Sequence, residues 1–168
     1  MPYRVVGGAR FYERLEIRDA IAYLRLIHQP ADDLAFERII NKPARGIGKT
    51  TLQSIHGLAR VIERPLMHCA NELLSSDELR PAGRRALAAA MASFDRWRTL
   101  AESMHHAELA ALVLDESGYT EIWQKDKTPE APGRLENLKE LVSAMEEFDT
   151  LAGFLEHISL VMENTTTS

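Results

Sequence analysis

Nearly everything after Gly8 carries apolar residues at helical spacing, and that periodicity is the tightest constraint on what this chain can fold into. In "ERLEIRDAIAYLRLIHQ", Leu15, Ile21, Leu24 and Ile27 fall on or near one face, with Arg and Glu elsewhere. "QPADD" ends that segment, and Asp32 or Asp33 can cap the next one, "LAFERIIN". A proline-glycine turn, "KPARGIGKT", leads into a helix expected from about Thr50 to Ile62. Pro65 opens "PLMHCANELL", "SSDELRP" reads as a loop, and "AGRRALAAAMASFDRWRTLAESM" as a long alanine-rich helix. "AELAALVLDES", "TEIWQK", "RLENLKELVSAMEEF" and "LAGFLEHISLVM" follow, with residues 126–133 the best candidate for a flexible loop. Only "YRVVGG", Tyr3 to Gly8, reads as a strand. The expected fold is therefore mainly α: a multi-helix, bundle-like unit with one short N-terminal strand. A lone strand has no partner for its backbone groups, so both ends are expected to be cut from something larger.

Composition narrows the function classes. Hydrophobic residues are 45% and charged residues 27% of the chain, as in an ordinary water-soluble domain. No apolar run is long enough to span a bilayer and no signal-peptide pattern opens the sequence, which speaks against a membrane partner. Cys69 is the single cysteine, and no Cys/His spacing suggests zinc, so a reducing, cytoplasmic setting is expected. The net charge is −5, but it is unevenly spread. Between Ala35 and Arg64, six cations (Arg38, Lys42, Arg45, Lys49, Arg60, Arg64) face two acids, Glu37 and Glu63. A local basic region on an acidic body can select polyanions, because charge acts over about 8–10 Å in physiological salt.

The "GIGKTT" within that region imitates the end of a nucleotide-binding phosphate loop, Gly-x-x-x-x-Gly-Lys-[Ser/Thr]. The imitation fails on two counts. The first glycine would fall at Pro43, and the preceding "DLAFERIIN" has helical spacing where a buried strand is required. No apolar strand ending in an aspartate follows to hold magnesium. The same residues suit a helix-hairpin-helix turn. Gly46 and Gly48 let the backbone bend tightly and approach a surface, and Ile47 between them anchors the turn. The free N–H groups opening the second helix meet an anion. Arg45 and Lys49 flank it with charge, and Thr50 and Thr51 add hydroxyl donors. Such contacts address nucleic-acid backbone and are blind to sequence. The plainer alternative is a glycine-bearing helix connection with solvated cations; the local excess of positive charge favours binding.

Several of these segments, in order, resemble the UvrD/PcrA/Rep helicases of superfamily 1. "MPYRVVGGARFYERLEIRDAIAYLRL" is similar to the family segment where the second motor domain passes into its inserted 2B subdomain, and "RIINKPARGIG" to its GIG loop. "GRLENLKELVSAMEEF" and "LAGFLEHISLV" resemble later elements before the chain re-enters the motor. The likeness spans essentially the whole chain. It implies that residues 1–10 end the second motor domain and that 11–168 form a helical 2B subdomain, contacting duplex or forked DNA through Arg45, Gly46, Ile47, Gly48, Lys49, Thr50 and Thr51. It implies a hinge at Arg10, Phe11, Glu13 and Arg14, with rotation about Phe11 to Asp19. The parent enzyme would be a cytoplasmic, nucleoid-associated, ATP-dependent 3′-to-5′ DNA helicase of DNA repair, using ATP and magnesium. The motor domains would be its direct partners. The motifs that hydrolyse ATP in this family are missing here, so this chain is expected to hold no cofactor and to catalyse nothing. The alternative is a protein-interaction module that docks repair proteins or a second helicase copy through its acidic helices.

Three further features are read more plainly. His105 and His106, near Glu102 and Glu108, lack a matching ligand set for a metal and fit a solvated helix end. Trp97 and Trp123, at helical spacing with Phe94 and Ile122, read as core rather than as base-stacking platforms. The charges of "FYER" would be exposed without a motor domain beside them.

Overall fold

The computed structural model describes residues 8–167, and side chains up to Glu163. Ten helices make up the described residues, with no strand among them: α1 (Ala9–Glu13), α2 (Leu15–His28), α3 (Asp33–Ile39), α4 (Lys49–Ile62), α5 (Leu66–Leu74), α6 (Pro81–Ala101), α7 (His106–Glu116), α8 (Tyr119–Lys125), α9 (Ala131–Met145) and α10 (Leu151–Thr167). The mainly-α expectation holds. The strand expected from Tyr3 lies, apart from Gly8, outside the described residues; Gly8 itself is the N-cap of α1.

The single segment expected from Glu13 to Gln29 is broken at Arg14, whose extended backbone (ψ 142°) separates α1 from α2. Leu15, expected on the buried face, is 41% exposed as a result, because the break turns the first residue of α2 outward. From Glu16 onward α2 is buried almost all round and touches α1, α3, α6, α7, α9 and α10. It is the axle of the fold. A helix with so little solvent face needs its polar side chains paired, and its two buried carboxylates, Glu16 and Asp19, are.

Local chemistry sets the joints. The Ala35 N–H donates to Asp32 Oδ1 at 3.0 Å, capping α3, while Asp33 Oδ1 accepts from the Leu66 N–H at 2.9 Å and so caps the first turn of α5. The loop expected over 126–133 is shorter: Ala131, Pro132 and Gly133 form the first turn of α9. Proline is tolerated there because that turn's N–H groups have no intrahelical partner anyway.

Aromatic side chains fill the space between α2, α6 and α8. Tyr23 stacks on Phe94 at 5.9 Å between ring centroids, and Phe94 meets Trp97 edge-on at 4.9 Å. Trp97 is core, as expected, with its indole N–H donating to Glu116 at 2.9 Å. Trp123 is half-buried beneath the Arg134 guanidinium, 4.8 Å from its ring centroid. His105 and His106 also serve the fold. His105 accepts from the Ala107 N–H to cap α7, and buried His106 lies 2.6 Å from the Met145 carbonyl.

Candidate nucleic-acid interface

The chain leaves α3 at Ile40 and reaches α4 through a loop fastened from inside. Asn41 donates to the Ile47 carbonyl at 2.6 Å, drawing the two ends of the loop together. Ile47 is buried and plugs the loop into the core. Gly46 has φ +82°, a left-handed conformation that disfavours any side chain. Gly48 has an extended backbone and open space around it, so its lack of a side chain clears the approach rather than making the turn.

Arg45 does something other than flank the tip with charge. Its guanidinium turns inward: Nη1 donates to the carbonyls of Ile39 (3.0 Å) and Ile40 (2.9 Å) and more weakly to Pro43, and Nη2 donates to the Tyr23 hydroxyl. That cation caps the carbonyl end of α3, where the helix dipole favours it. The Tyr23 hydroxyl in turn donates to the Lys42 carbonyl. Buried Asp19, one turn earlier on α2, accepts from Arg38 at 2.8 Å and from the Tyr119 hydroxyl at 2.5 Å, and lies 3.5 Å from the Lys42 ammonium. Burial and the hydrogen bond to Asp19 push the Tyr119 phenol well above its ordinary range, so it stays a neutral donor. The α7–α8 turn abuts the same loop, since a Cβ at Gly118 would come 3.3 Å from Pro43.

A rigid polar base thus carries a small exposed tip of Gly46, Gly48, Lys49 and Thr50. No side chain caps α4, so the N–H groups of its first turn have no partner within the helix. Such a tip can hold an anion against outward N–H groups and one ammonium. No acid and base are paired at it, and no group of three or more metal-ligating side chains occurs among the described residues.

The structure divides the expected contact residues in two. Gly46, Gly48, Lys49 and Thr50 come together at the surface, whereas Arg45, Ile47 and Thr51 turn inward; Thr51 is buried against the first turn of α6, where Gly83 leaves room for its hydroxyl. It also divides the basic region. Arg38 and Lys42 face Asp19, Arg45 faces carbonyls, and Arg60 and Arg64 lie toward the far end of α4, about 16 Å or more from Lys49 along the helix. Of the six cations, Lys49 alone stands at the tip. Among the hinge residues, Phe11 is buried beside Tyr12, and Arg10, Glu13 and Arg14 are exposed. Arg14 donates to Glu16 at 2.8 Å.

Sequence reading missed the base beneath the loop. Glu16, Asp19 and Tyr23 are three and four residues apart, so they share a helix face, and three hydrogen-bonding groups in register inside an apolar helix are the available signal. Glu16 also accepts from Arg134 (2.9 Å) and Asn137 (2.8 Å) of α9. Burial pushes its carboxyl up, but hydrogen bonds from Arg14 and Asn137 outweigh that and hold it below the ordinary carboxylate value.

The fold defines a mainly α, multi-helix unit with a glycine turn between α3 and α4, and comparison with known proteins gives its family. The chain belongs to the UvrD-like helicase C-terminal domain family, which matches residues 1–168. It is 42% identical to a probable DNA helicase II homolog of Rickettsia conorii over 98% of this chain and 25% of that protein. It is 37% identical to DNA helicase II of Escherichia coli, over 95% of this chain and 24% of that one. With the ATP-dependent DNA helicase PcrA of Bacillus subtilis it shares 33% identity, over 96% and 22% respectively. The chain thus spans about a quarter of the length of these relatives.

Proposed function

We propose that this chain is the duplex-DNA-contacting, regulatory 2B subdomain of an ATP-dependent 3′-to-5′ DNA helicase of DNA repair. Residues 1–10 close the second motor domain in this reading and 11–168 form the subdomain. Gly46, Gly48, Lys49 and Thr50 hold the phosphate backbone of duplex or forked DNA without reading bases. Arg45, Ile47 and Thr51 support that contact from beneath. The observation that carries the reading is an exposed glycine tip with uncapped N–H groups, mounted on a buried network that keeps it in one shape.

The mechanism is positional. The subdomain holds the duplex while motor domains elsewhere in the parent, using ATP and magnesium, step along one strand. Rotation about Phe11 to Asp19 gates unwinding in this reading, and what favours it is the break between α1 and α2 at Arg14, with Arg10 and Glu13 exposed beside it. No described helix is long and apolar enough to cross a membrane, and the setting proposed is the cytoplasm, at the nucleoid.

Fluorescence anisotropy of a labelled duplex at low salt tests the contact. Lys49→Glu is expected to weaken binding at least tenfold, since it replaces an attraction by a repulsion at the tip (on the order of 1.4 kcal/mol or more). Equal binding by wild type and Lys49→Glu overturns it. ATP turnover by this chain alone would overturn the accessory role.

A further inference from the structure

With Lys49 left as the sole cation at the tip, the loop by itself is a weak grip on a polyanion, and the fold brings a second basic segment beside it. The first turn of α6 lies directly against the loop: a Cβ at Gly46 would come 3.8 Å from the Ala86 methyl, and one at Gly83 would come 2.6 Å from the Thr51 hydroxyl. That turn carries Arg80, Arg84 and Arg85 and no acid between them. Arg84 folds back, Nη1 donating to the Leu74 carbonyl and Nη2 to the Ser76 carbonyl, and so ties α6 to the end of α5. Arg80 and Arg85 are exposed, and among the described residues no ion pair or side-chain hydrogen bond is found for either.

We propose that the DNA-contacting surface continues from the GIG loop across the first turn of α6, where Arg80 and Arg85 take further phosphates of the same duplex. The inference rests on the loop reading above and adds residues to it. The structure supports it in three ways. The loop and α6 meet through small residues, Gly46 against Ala86 and Gly83 against Thr51, so the two backbones come close together. Arg84 and Arg45 fix both turns from inside, so each outward cation projects from a braced backbone. Alternate use of two turns also suits a duplex, whose phosphates follow one another at short, regular intervals along each strand. Asp77 and Glu78 are exposed just ahead of Arg80 and oppose its charge, so Arg85, further along α6, takes the larger share.

The test titrates a blunt labelled duplex, and one of its strands alone, with the 168-residue chain over a range of salt. Four proteins are compared: wild type, Lys49→Glu, Arg85→Ala and the double variant Arg80→Ala/Arg85→Ala. All should melt together, because the three side chains are exposed and unpaired. The double variant is expected to bind duplex about tenfold more weakly near 50 mM salt, with the slope of log affinity against log salt shallower by about 0.9 for each phosphate no longer neutralised. Arg85→Ala alone should show the larger part of that loss. If Lys49→Glu weakens binding while the double variant keeps wild-type affinity and slope, the extension onto α6 is wrong and the loop reading stands. If none of the variants changes binding, both fail. A loss confined to the single strand, or one seen in the α6 variants but not in Lys49→Glu, also overturns a continuous duplex-binding surface.

Discussion

The turn from α3 to α4 and the turn from α5 to α6 are built on one plan. Each has an arginine folded back onto the carbonyl end of the helix before it: Arg45 onto Ile39 and Ile40, Arg84 onto Leu74 and Ser76. Each then presents exposed cations beside it, Lys49 in one case and Arg80 and Arg85 in the other. They differ in what lies underneath. The GIG loop stands on buried polar groups from α2, whereas the α5–α6 turn is held by Ser76, whose hydroxyl donates to the Leu73 carbonyl at 2.9 Å, and by buried Leu79. A guanidinium pointing inward stabilises a turn, and only one pointing outward can meet a ligand. Counting charges along the chain merges the two roles.

The most disruptive way to break the parallel is to remove the braces. Arg45→Ala leaves carbonyls of α3 and the Tyr23 hydroxyl without their donor, and a loss of about 3 kcal/mol is expected in urea unfolding; Arg84→Ala, with fewer partners, should cost about 2 kcal/mol. An Arg45→Ala protein as stable as wild type would show that the guanidinium holds nothing. Gly83→Ala tests the contact between the two turns. Its methyl would press on the buried Thr51 hydroxyl, so a loss of about 2 kcal/mol is expected, relieved when Thr51→Ala is added. Additive effects in that double-mutant cycle would deny the contact.

The two loop glycines separate shape from access. Gly46→Ala places a side chain at φ +82° and should cost about 1 kcal/mol. Gly48→Ala should leave the melting temperature within error, yet weaken duplex binding by adding a methyl where backbone meets phosphate. A Gly48→Ala protein that binds duplex normally would move the contact off the loop.

The smallest effect is a slope. The folded-state pKa of Glu16 is held below its ordinary value near 4.5, so its contribution to stability is complete above that pH and is lost as pH falls through the folded value. Melting temperature followed from about pH 6 to pH 3 should therefore fall less steeply in Glu16→Gln than in wild type. Parallel curves would mean that Glu16 does not carry the acid sensitivity.

Much of this fold was legible. Helical spacing located the helices, Asp32 was a recognisable cap, and the Gly-Ile-Gly turn with a buried isoleucine was readable from residue types. Arg14 as a break was not, because no proline or glycine marks it. The candidate site was half legible. Gly46, Gly48, Lys49 and Thr50 are exposed at the tip, while half-buried Arg45 turns its fork inward and Thr51 is buried. An arginine beside a glycine turn looks the same whether its fork meets phosphates or carbonyls, since both are oxygen acceptors.

By itself the sequence determined what local physics controls: helix positions, the tight glycine turn with its buried isoleucine, and membership of a helicase family. Only the tertiary structure decided which cations face water and which neighbours they have. Gly83 and Ala86 are far from Gly46 and Thr51 in the chain, yet their small size lets α6 pack against the loop. Backbone periodicity acts over a few residues, whereas the direction of a long charged side chain depends on which acceptors packing brings within reach.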